Sequence, residues 1–111
     1  MSDLPDERTK RFVAVLNKKI DTGKLMNALG HMTAGLAGGF GKGEEMTFLE
    51  YKDKDGGIHP HISHFPFIVL RADNSSQIRT IRNEAIKRGI IFTDFTSTMT
   101  VGTSAEQVER T

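Results

Sequence analysis

The stretch RFVAVLNKKIDTGKLMNALGHMTAGLAGG, residues 11–39, decides the fold because the spacing of its apolar residues changes part-way along. Residues 12–16 form a continuous apolar run rich in strand-forming side chains, which is typical of a strand covered on both faces. Beyond it, four apolar residues recur at helical spacing and form one narrow stripe: Leu25, Leu29, Met32 and Leu36. Asp21 or Thr22 can cap the first turn of that helix. The stretch therefore predicts a central strand followed by a helix that packs on the sheet.

A different face of this helix is polar. Lys24 and His31 lie seven residues apart, so they point within about 20° of each other, and Asn27 and Gly35 lie close to the same line. A strand that leads through a short polar loop into a helix start is a place where α/β proteins bind anions, and Lys18 adds positive charge there. We therefore expect a ligand site in this region. The competing interpretation is an ordinary solvated helix face.

Length and composition narrow the possibilities. With 111 residues the chain fits one domain, and the charged start of the sequence predicts a flexible N-terminal segment over residues 1–10. Fifteen Lys and Arg against fourteen Asp and Glu give a formal charge of +1, so no strong overall field attracts nucleic acid or a membrane. The absence of cysteine excludes thiolate chemistry. No signal peptide or membrane span is recognisable, and a cytoplasmic location is expected.

The remaining pattern adds a hairpin, a second strand and helix, and a last strand. A glycine-rich connection is expected at 38–45, followed by a hairpin whose two strands are 46–51 and 58–62 and by a strand at 67–70. A helix is then expected to begin at Asn74 or Ser75 and to end at Gly89. A strand at 90–95 and a capping box at 103–106 complete the pattern. This order predicts a single three-layer α/β domain. Its sheet is expected to be mixed, with about four strands and helices on both faces.

Several short motifs of this chain resemble those of the type 2 peptidyl-tRNA hydrolases and follow one another in the same order. They are the apolar strand, Gly23-Lys24 in a polar loop, Gly30-His31 on the helix and a late Asp94-x-x-x-Thr98. The chain resembles even more closely an uncharacterised bacterial family thought to share that hydrolase fold, in which a motif like Asn27-x-x-x-His31 opens the first helix. The resemblance implies a peptidyl-tRNA hydrolase II-like fold, often a homodimer, and hydrolysis of the ester between a peptide and tRNA without a metal.

Residue by residue, the resemblance places Lys24, Asp94 and Thr98 on the family's lysine, aspartate and threonine. An aspartate can orient or activate water, a lysine can stabilise an oxyanion, and a threonine can hold the carboxylate or the substrate. Histidine is the side chain best suited to acid–base chemistry near neutral pH, so His31 can supply it. The alternative for Asp94 and Thr98 is that they close a turn.

Two functions therefore remain open. If the protein is an enzyme, we expect a metal-independent ester hydrolase that acts on a tRNA-linked or similar substrate. The hydrolases carry a glutamine four residues after their lysine, where this sequence has Ala28, and this difference favours the alternative, a non-catalytic homodimer that binds a small anionic ligand. The candidate ligand-binding residues are Lys18, Asn27 and Gly35.

A histidine cluster forms a separate candidate. His59, His61 and His64 fall within six residues, and imidazoles are good metal ligands. On a regular strand, however, His59 and His61 share one face while His64 points away, and no acidic residue immediately flanks the three in sequence. We therefore expect neither a metal nor another cofactor. Arg79, Arg82 and Arg88 are interpreted as a solvated helix face.

Overall fold

A computed structural model describes residues 10–40, 48–100 and 102–111. Its elements are β1 (Phe12–Asn17), α1 (Thr22–Phe40), β2 (Phe48–Lys52), β3 (Ile58–Ser63), β4 (Phe67–Ala72), α2 (Ser75–Lys87), a 3-10 helix (Ser97–Thr100) and α3 (Ser104–Arg110). The expected flexible segment falls almost wholly on residues 1–9, and most of the glycine-rich connection falls on 41–47. Those parts of the two segments lie outside the described residues. The described chain is a small mixed α/β domain.

The two continuous apolar runs form a parallel pair. β1 and β4 are in register from Phe12 opposite Phe67 to Asn17 opposite Ala72. The rings of Phe12 and Phe67 stack with their centroids 5.4 Å apart, which fixes one end of the pair. The prediction that both runs are strands is confirmed. Each pairs with one other strand among the described residues, however, so neither is a central strand there.

The hairpin of β2 and β3 forms a second sheet of its own. Leu49 pairs with Ile62 and Tyr51 with His59, so one residue of β2 lies opposite two of β3, Pro60 and His61. Pro60 has no N–H to donate, and His61 has a φ of 61°, in the left-handed region, so the ladder is interrupted there. The expected single sheet of about four strands is therefore wrong for the described residues, which form two two-stranded sheets.

The expected last strand at 90–95 is also absent from the described chain. This segment has no regular secondary structure, although its apolar residues have high strand propensity. Ile90 and Ile91 are 56% and 52% exposed. The segment is attached to α1 through a side chain instead, because the Thr93 hydroxyl donates to the Met32 carbonyl oxygen at 2.9 Å. Tertiary contact has overridden local propensity here.

The helices follow the predicted patterns more closely. The four residues of the α1 stripe are half-buried, whereas Lys24, Asn27 and His31 are exposed. Asn74 caps α2 by accepting the Gln77 N–H at 3.0 Å, and Gly89 follows the end of α2 with a φ of +66°. α1 extends to Phe40, so the expected glycine-rich connection is wrong over residues 38–40, which are helical.

Both faces of the β1–β4 pair are at least partly covered. Because opposite residues of parallel strands share a face, Val15, Leu70 and Ala72 belong to one face, and α2 lies against it. Phe12 and Ala14 belong to the other face and are also buried. Among the helices that the structure describes, none is long and apolar enough to cross a membrane.

Candidate functional site

The two parallel strands end at the same edge of their sheet, and each leads into a helix. β1 continues through residues 18–21 into α1, and β4 continues through 73–74 into α2. The backbone N–H of Lys18 donates to the Ala72 carbonyl oxygen at 2.9 Å, which holds the two connections together. α/β proteins bind ligands at this carboxyl edge, where free N–H groups of helix starts also point. We call this region, with Lys18, Arg71, Asp73 and Gln77, the carboxyl-edge rim.

Charged side chains join the two connections at the rim. The Lys18 ammonium lies 2.9 Å from Asp73 Oδ1, with both side chains about half exposed. Gln77 accepts the Asp73 N–H through its Oε1 at 2.6 Å and donates from its Nε2 to Asp73 Oδ2 at 3.3 Å. The Lys18 ammonium and the Gln77 amide hold the pKa of Asp73 below its ordinary value of 3.8, and Arg71 adds to this effect through its charge. Asp73 is therefore a carboxylate at neutral pH.

An open hollow of about 340 Å³ lies directly beneath this rim, between α2 and the sheet. Its wall is mostly apolar, and the lining residues are Val15, Leu70, Arg71, Ala72, Gln77, Thr80 and Ile81. Ile81 belongs to the apolar face of α2, yet it is 46% exposed because it borders this open space. Ligand pockets are commonly apolar hollows of this size that carry a few polar groups at one side. The hollow has this size and a mostly apolar wall, it is open to solvent, and the rim supplies polar groups beside it.

Two of the predicted catalytic residues lie at the segment that follows α2. Asp94 is part of this segment, and His31 of α1 contacts it. The His31 imidazole stacks on the Phe95 ring at a centroid distance of 5.9 Å and an interplanar angle of 18°. Asp94, the preceding residue, accepts from Arg82 Nε at 2.6 Å. Gly35 lies beside the same segment, since a Cβ built on it would lie 3.9 Å from Thr93 Cγ2. The structure therefore brings His31, Asp94 and Gly35 to one segment, with α1 on one side and Arg82 of α2 on the other.

Three other predicted residues, Lys24, Asn27 and Thr98, have different surroundings. Lys24 and Asn27 are exposed on α1. The Thr98 hydroxyl forms hydrogen bonds with those of Thr96, at 2.8 Å, and Thr111, at 2.6 Å. No hydrogen bond or ion pair in the described chain joins any two of the four predicted catalytic residues. These four therefore do not form a bonded catalytic group in this structure.

The histidine cluster is divided by the bulge in β3. The register places His59 on the face of Leu49 and Ile62, and the extra residue at the bulge removes His61 from that face, where a regular strand would have kept it. His59 Nε2 lies 2.8 Å from Asp53 Oδ2, and this contact, together with the Gly57 N–H, lowers the pKa of Asp53. His64 contacts the edge of the Phe65 ring. The described residues contain no group of three or more His, Cys, Asp or Glu placed to hold a metal ion.

Three residues of interest were missed by sequence reasoning. Asp73 and Gln77 form the rim with Lys18, and the signal was available, because polar residues directly after an apolar strand mark the carboxyl edge of a sheet. The sequence pattern predicts a solvated helix face for Arg82. It contacts Asp94, and its guanidinium carbon lies 5.5 Å from the centre of the Phe92 ring. No spacing rule predicts that contact, because the segment at 92–95 is irregular.

Comparisons with known proteins agree with this architecture. Residues 10–111 match the family model described as protein of unknown function (DUF2000). The chain belongs to the DUF2000 family. This DUF2000 chain is also similar to a solved structure of a protein of unknown function from Agrobacterium tumefaciens, with a TM-score of 0.73 and 19% identity over 90% of this chain and 72% of that chain. At that identity the likeness shows the fold alone. No curated protein matches the chain.

Neither of these findings connects the DUF2000 chain with the type 2 peptidyl-tRNA hydrolases. What the comparisons show is a family and an α/β fold. The hydrolase-like fold, the hydrolysis reaction and the homodimer implied by the resemblance therefore remain proposals. Function has to be argued from the site, because one fold supports many activities.

Proposed function

We propose that the protein is a non-catalytic binding domain for a small molecule, with the apolar part of the ligand held in the hollow between α2 and the β1–β4 sheet. The observation that carries this proposal is the hollow itself, about 340 Å³ of space with a mostly apolar wall. Apolar surface left open to water costs free energy, which a ligand recovers by covering it. The polar groups needed for orientation stand at one side, in the carboxyl-edge rim.

A binding function agrees better with the geometry than hydrolysis does. Ester hydrolysis requires a base within hydrogen-bond reach of the attacking water and a donor within hydrogen-bond reach of the developing oxyanion, so both groups must face the same reacting carbonyl. Asp94 is bonded to Arg82 and Thr98 to Thr96 and Thr111, while Lys24 lies exposed on α1. The hollow borders none of these residues.

The proposal is tested by filling the hollow. Thr80 lines it from α2, and Thr80→Phe places a ring in the space. Ile86→Phe adds the same ring to an exposed position of the same helix that does not line the hollow, so it is the matched control. Nile red, a neutral apolar dye, is expected to bind the wild type, to bind Thr80→Phe at least tenfold more weakly and to bind the control unchanged. Equal binding to all three folded variants contradicts the proposal.

Hydrolysis of a tRNA-linked ester is the second candidate, because His31 and Asp94 are brought to the same segment. In a peptidyl-tRNA hydrolysis assay we expect no turnover above the rate without protein. Lys24→Ala and Asp94→Asn are the deciding variants. Robust turnover by the wild type, abolished by both substitutions, would establish the enzyme, with tRNA as its partner, and overturn the binding proposal.

We further propose that two copies of the chain associate through exposed parts of the β1–β4 pair. Phe67 and Val69, which share one face of β4, are 42% and 53% exposed. A two-stranded sheet is marginally stable alone. In the part of the chain that the structure describes, β1 and β4 each pair with one strand, and the outer edge that each leaves favours further pairing. Sedimentation equilibrium should give a dimer, with Val69→Lys shifting it toward monomer. A monomeric wild type at tens of micromolar contradicts this proposal.

A further inference from the structure

β4 has an outer edge to which a further strand can be added. Among the described residues, β4 pairs with β1 and with no other strand. α2 lies against both strands, and α1 lies against β1. Three apolar residues of β4 are exposed: Phe67, Val69 and Leu70. An exposed apolar strand with an unpaired edge is a template for pairing with another chain.

The ladder with β1 shows which backbone groups face this edge. The Phe12 N–H donates to the Pro66 carbonyl oxygen at 2.8 Å, and the Lys18 N–H donates to the Ala72 carbonyl oxygen at 2.9 Å. The even-numbered residues of β4 therefore direct their N–H and C=O groups toward β1, because these groups alternate in direction along a strand. The odd-numbered residues direct theirs outward, and they are Phe67, Val69 and Arg71.

The hollow extends to the same strand. Leu70 and Ala72 line it through the face against α2, whereas the side chain of Arg71, between them, belongs to the opposite face. Arg71 nevertheless borders the hollow, so the hollow reaches the main chain of β4 at this position. A strand added at the outer edge of β4 therefore lies beside the open hollow.

We infer that the added strand is β4 of a second copy, antiparallel and in the register that places the two Val69 residues opposite each other, and that it completes the wall of the hollow. The inference rests on the proposed dimer and on the proposed binding function. This register also pairs Phe67 with Arg71 of the second copy, so every outward N–H and C=O group of both strands has a partner. A register shifted by two residues leaves one outward residue of each strand unpaired.

The side chains favour a second copy over an unrelated strand. On the face opposite α2, the Arg71 guanidinium lies beside the Phe67 ring of the second copy, which makes a cation–π pair. The two-fold axis repeats this pair at the other end of the strands, and Val69 of each copy meets its equivalent in the middle. Each copy thus supplies both members of the contact, as a self-complementary interface requires.

The same register extends the hollow across the axis. A two-fold axis perpendicular to the sheet leaves both α2 helices on one face, and on that face Ile68 of the second copy lies opposite Leu70. The apolar wall that Val15 and Leu70 form in one copy is thereby continued. A ligand covers more apolar surface in the dimer than in the monomer, so ligand binding and dimerisation strengthen each other.

Single-cysteine variants test the register, because the chain contains no cysteine of its own. Val69→Cys places two thiols on paired residues whose Cα atoms are about 5.5 Å apart, a distance that a disulfide spans. Phe67→Cys lies on the same strand and face, but its two copies are about 14 Å apart, so it is the matched control. With oxidised glutathione, Val69→Cys should form a covalent dimer about tenfold faster than Phe67→Cys.

A mixture of two variants shows that the control still associates. Phe67→Cys and Arg71→Cys should each crosslink slowly alone and rapidly when mixed, because the register pairs these two positions. The covalent Val69→Cys dimer then tests the hollow. It should bind Nile red about fourfold more tightly than the reduced, dilute monomer, which is the effect of covering one further methylene group.

The outcomes separate this inference from the proposals on which it rests. If sedimentation shows a dimer but Phe67→Cys crosslinks as fast as Val69→Cys, or neither crosslinks, the dimer stands and the register is wrong. If Nile red binds the covalent dimer and the monomer equally, the second copy does not complete the hollow. A monomeric wild type overturns the inference and the dimer together, and absence of Nile red binding to every form overturns the hollow as a site.

Discussion

The Lys18 ammonium and the Asp73 carboxylate lie 2.9 Å apart and join the connections that follow the two parallel strands. One end of this pair precedes α1, and the other precedes α2. The pair thereby links the starts of both long helices at the carboxyl edge of the β1–β4 sheet. The stability that this pair contributes, measured at different pH, salt and ligand concentrations, therefore reports most directly on the rim.

Acid should weaken this link. Lys18 and Gln77 lower the pKa of Asp73 from 3.8 in the folded protein, so its carboxylate contributes stability that is fully present above pH 3.8 and is lost as the pH falls through the lower folded value. We expect the stability difference between wild type and Asp73→Asn to be constant from pH 5 to 7 and to disappear in acid. Urea denaturation at several pH values measures it. A difference unchanged down to pH 2.5 contradicts the assignment.

The cap of α2 is expected to matter independently of the ion pair. Asn74 Oδ1 accepts the Gln77 N–H at 3.0 Å, so Asn74→Ala leaves a donor of the first turn unsatisfied and should cost about 1 kcal/mol of unfolding free energy. Ser75→Ala, at the next position and outside the cap, should cost much less. Thermal or chemical denaturation compares the two, and equal losses would show that the cap is not the source of the stability.

His61 offers a stabilising substitution. Its φ of 61° is unfavourable for a residue with a side chain, whereas glycine adopts it freely. We expect His61→Gly to raise the unfolding free energy by about 1 kcal/mol, and His61→Ala, which retains a Cβ, to give no such gain. If His61→Gly destabilises the hairpin as much as His61→Ala does, the bulge geometry described for β3 is wrong.

The two faces of α1 should respond differently to a new charge. Leu29 is half-buried in the apolar stripe, and Leu29→Asp should cost about 2–3 kcal/mol because it places an unpaired carboxylate there. Asn27→Asp adds the same charge to an exposed position and should change stability by less than about 0.5 kcal/mol. Similar melting temperatures for the two variants would refute the orientation of α1.

Much of this architecture could be predicted from the sequence because local signals and tertiary packing agree. The apolar runs predicted β1 and β4, and the period of the α1 stripe predicted which side of that helix is half-buried. Asn74 and Gly89 predicted the two ends of α2. The prediction of a strand at residues 90–95 was wrong because the strand propensity of these residues competes with side-chain contacts that only the tertiary structure reveals. The contact of Thr93 with Met32 is one of them. Local sequence carries no record of such long-range contacts.

The site was predictable only in part, for a similar reason. Lys18 was expected at the start of the first helix, but its partner Asp73 follows a strand more than fifty residues later. The parallel pairing of β1 with β4 brings them together, and sequence spacing within one helix cannot show this. Lys24 and His31 do share the exposed side of α1, as their spacing predicts, yet the hollow lies against α2. Periodicity shows which residues share a face of one helix, but it does not show which element packs against that face.

The most direct test of the central claim is a two-dimensional NMR titration of the labelled protein with 1-octanol, whose neutral tail reports on the hollow alone. The account predicts that the largest amide shifts occur at Val15, Leu70, Ala72, Thr80 and Ile81, which line the space between α2 and the sheet. Saturation of those shifts with a single dissociation constant would place the ligand there. Shifts centred instead on Lys24, His31 and Asp94, or no saturable shifts in the folded protein, would contradict the account.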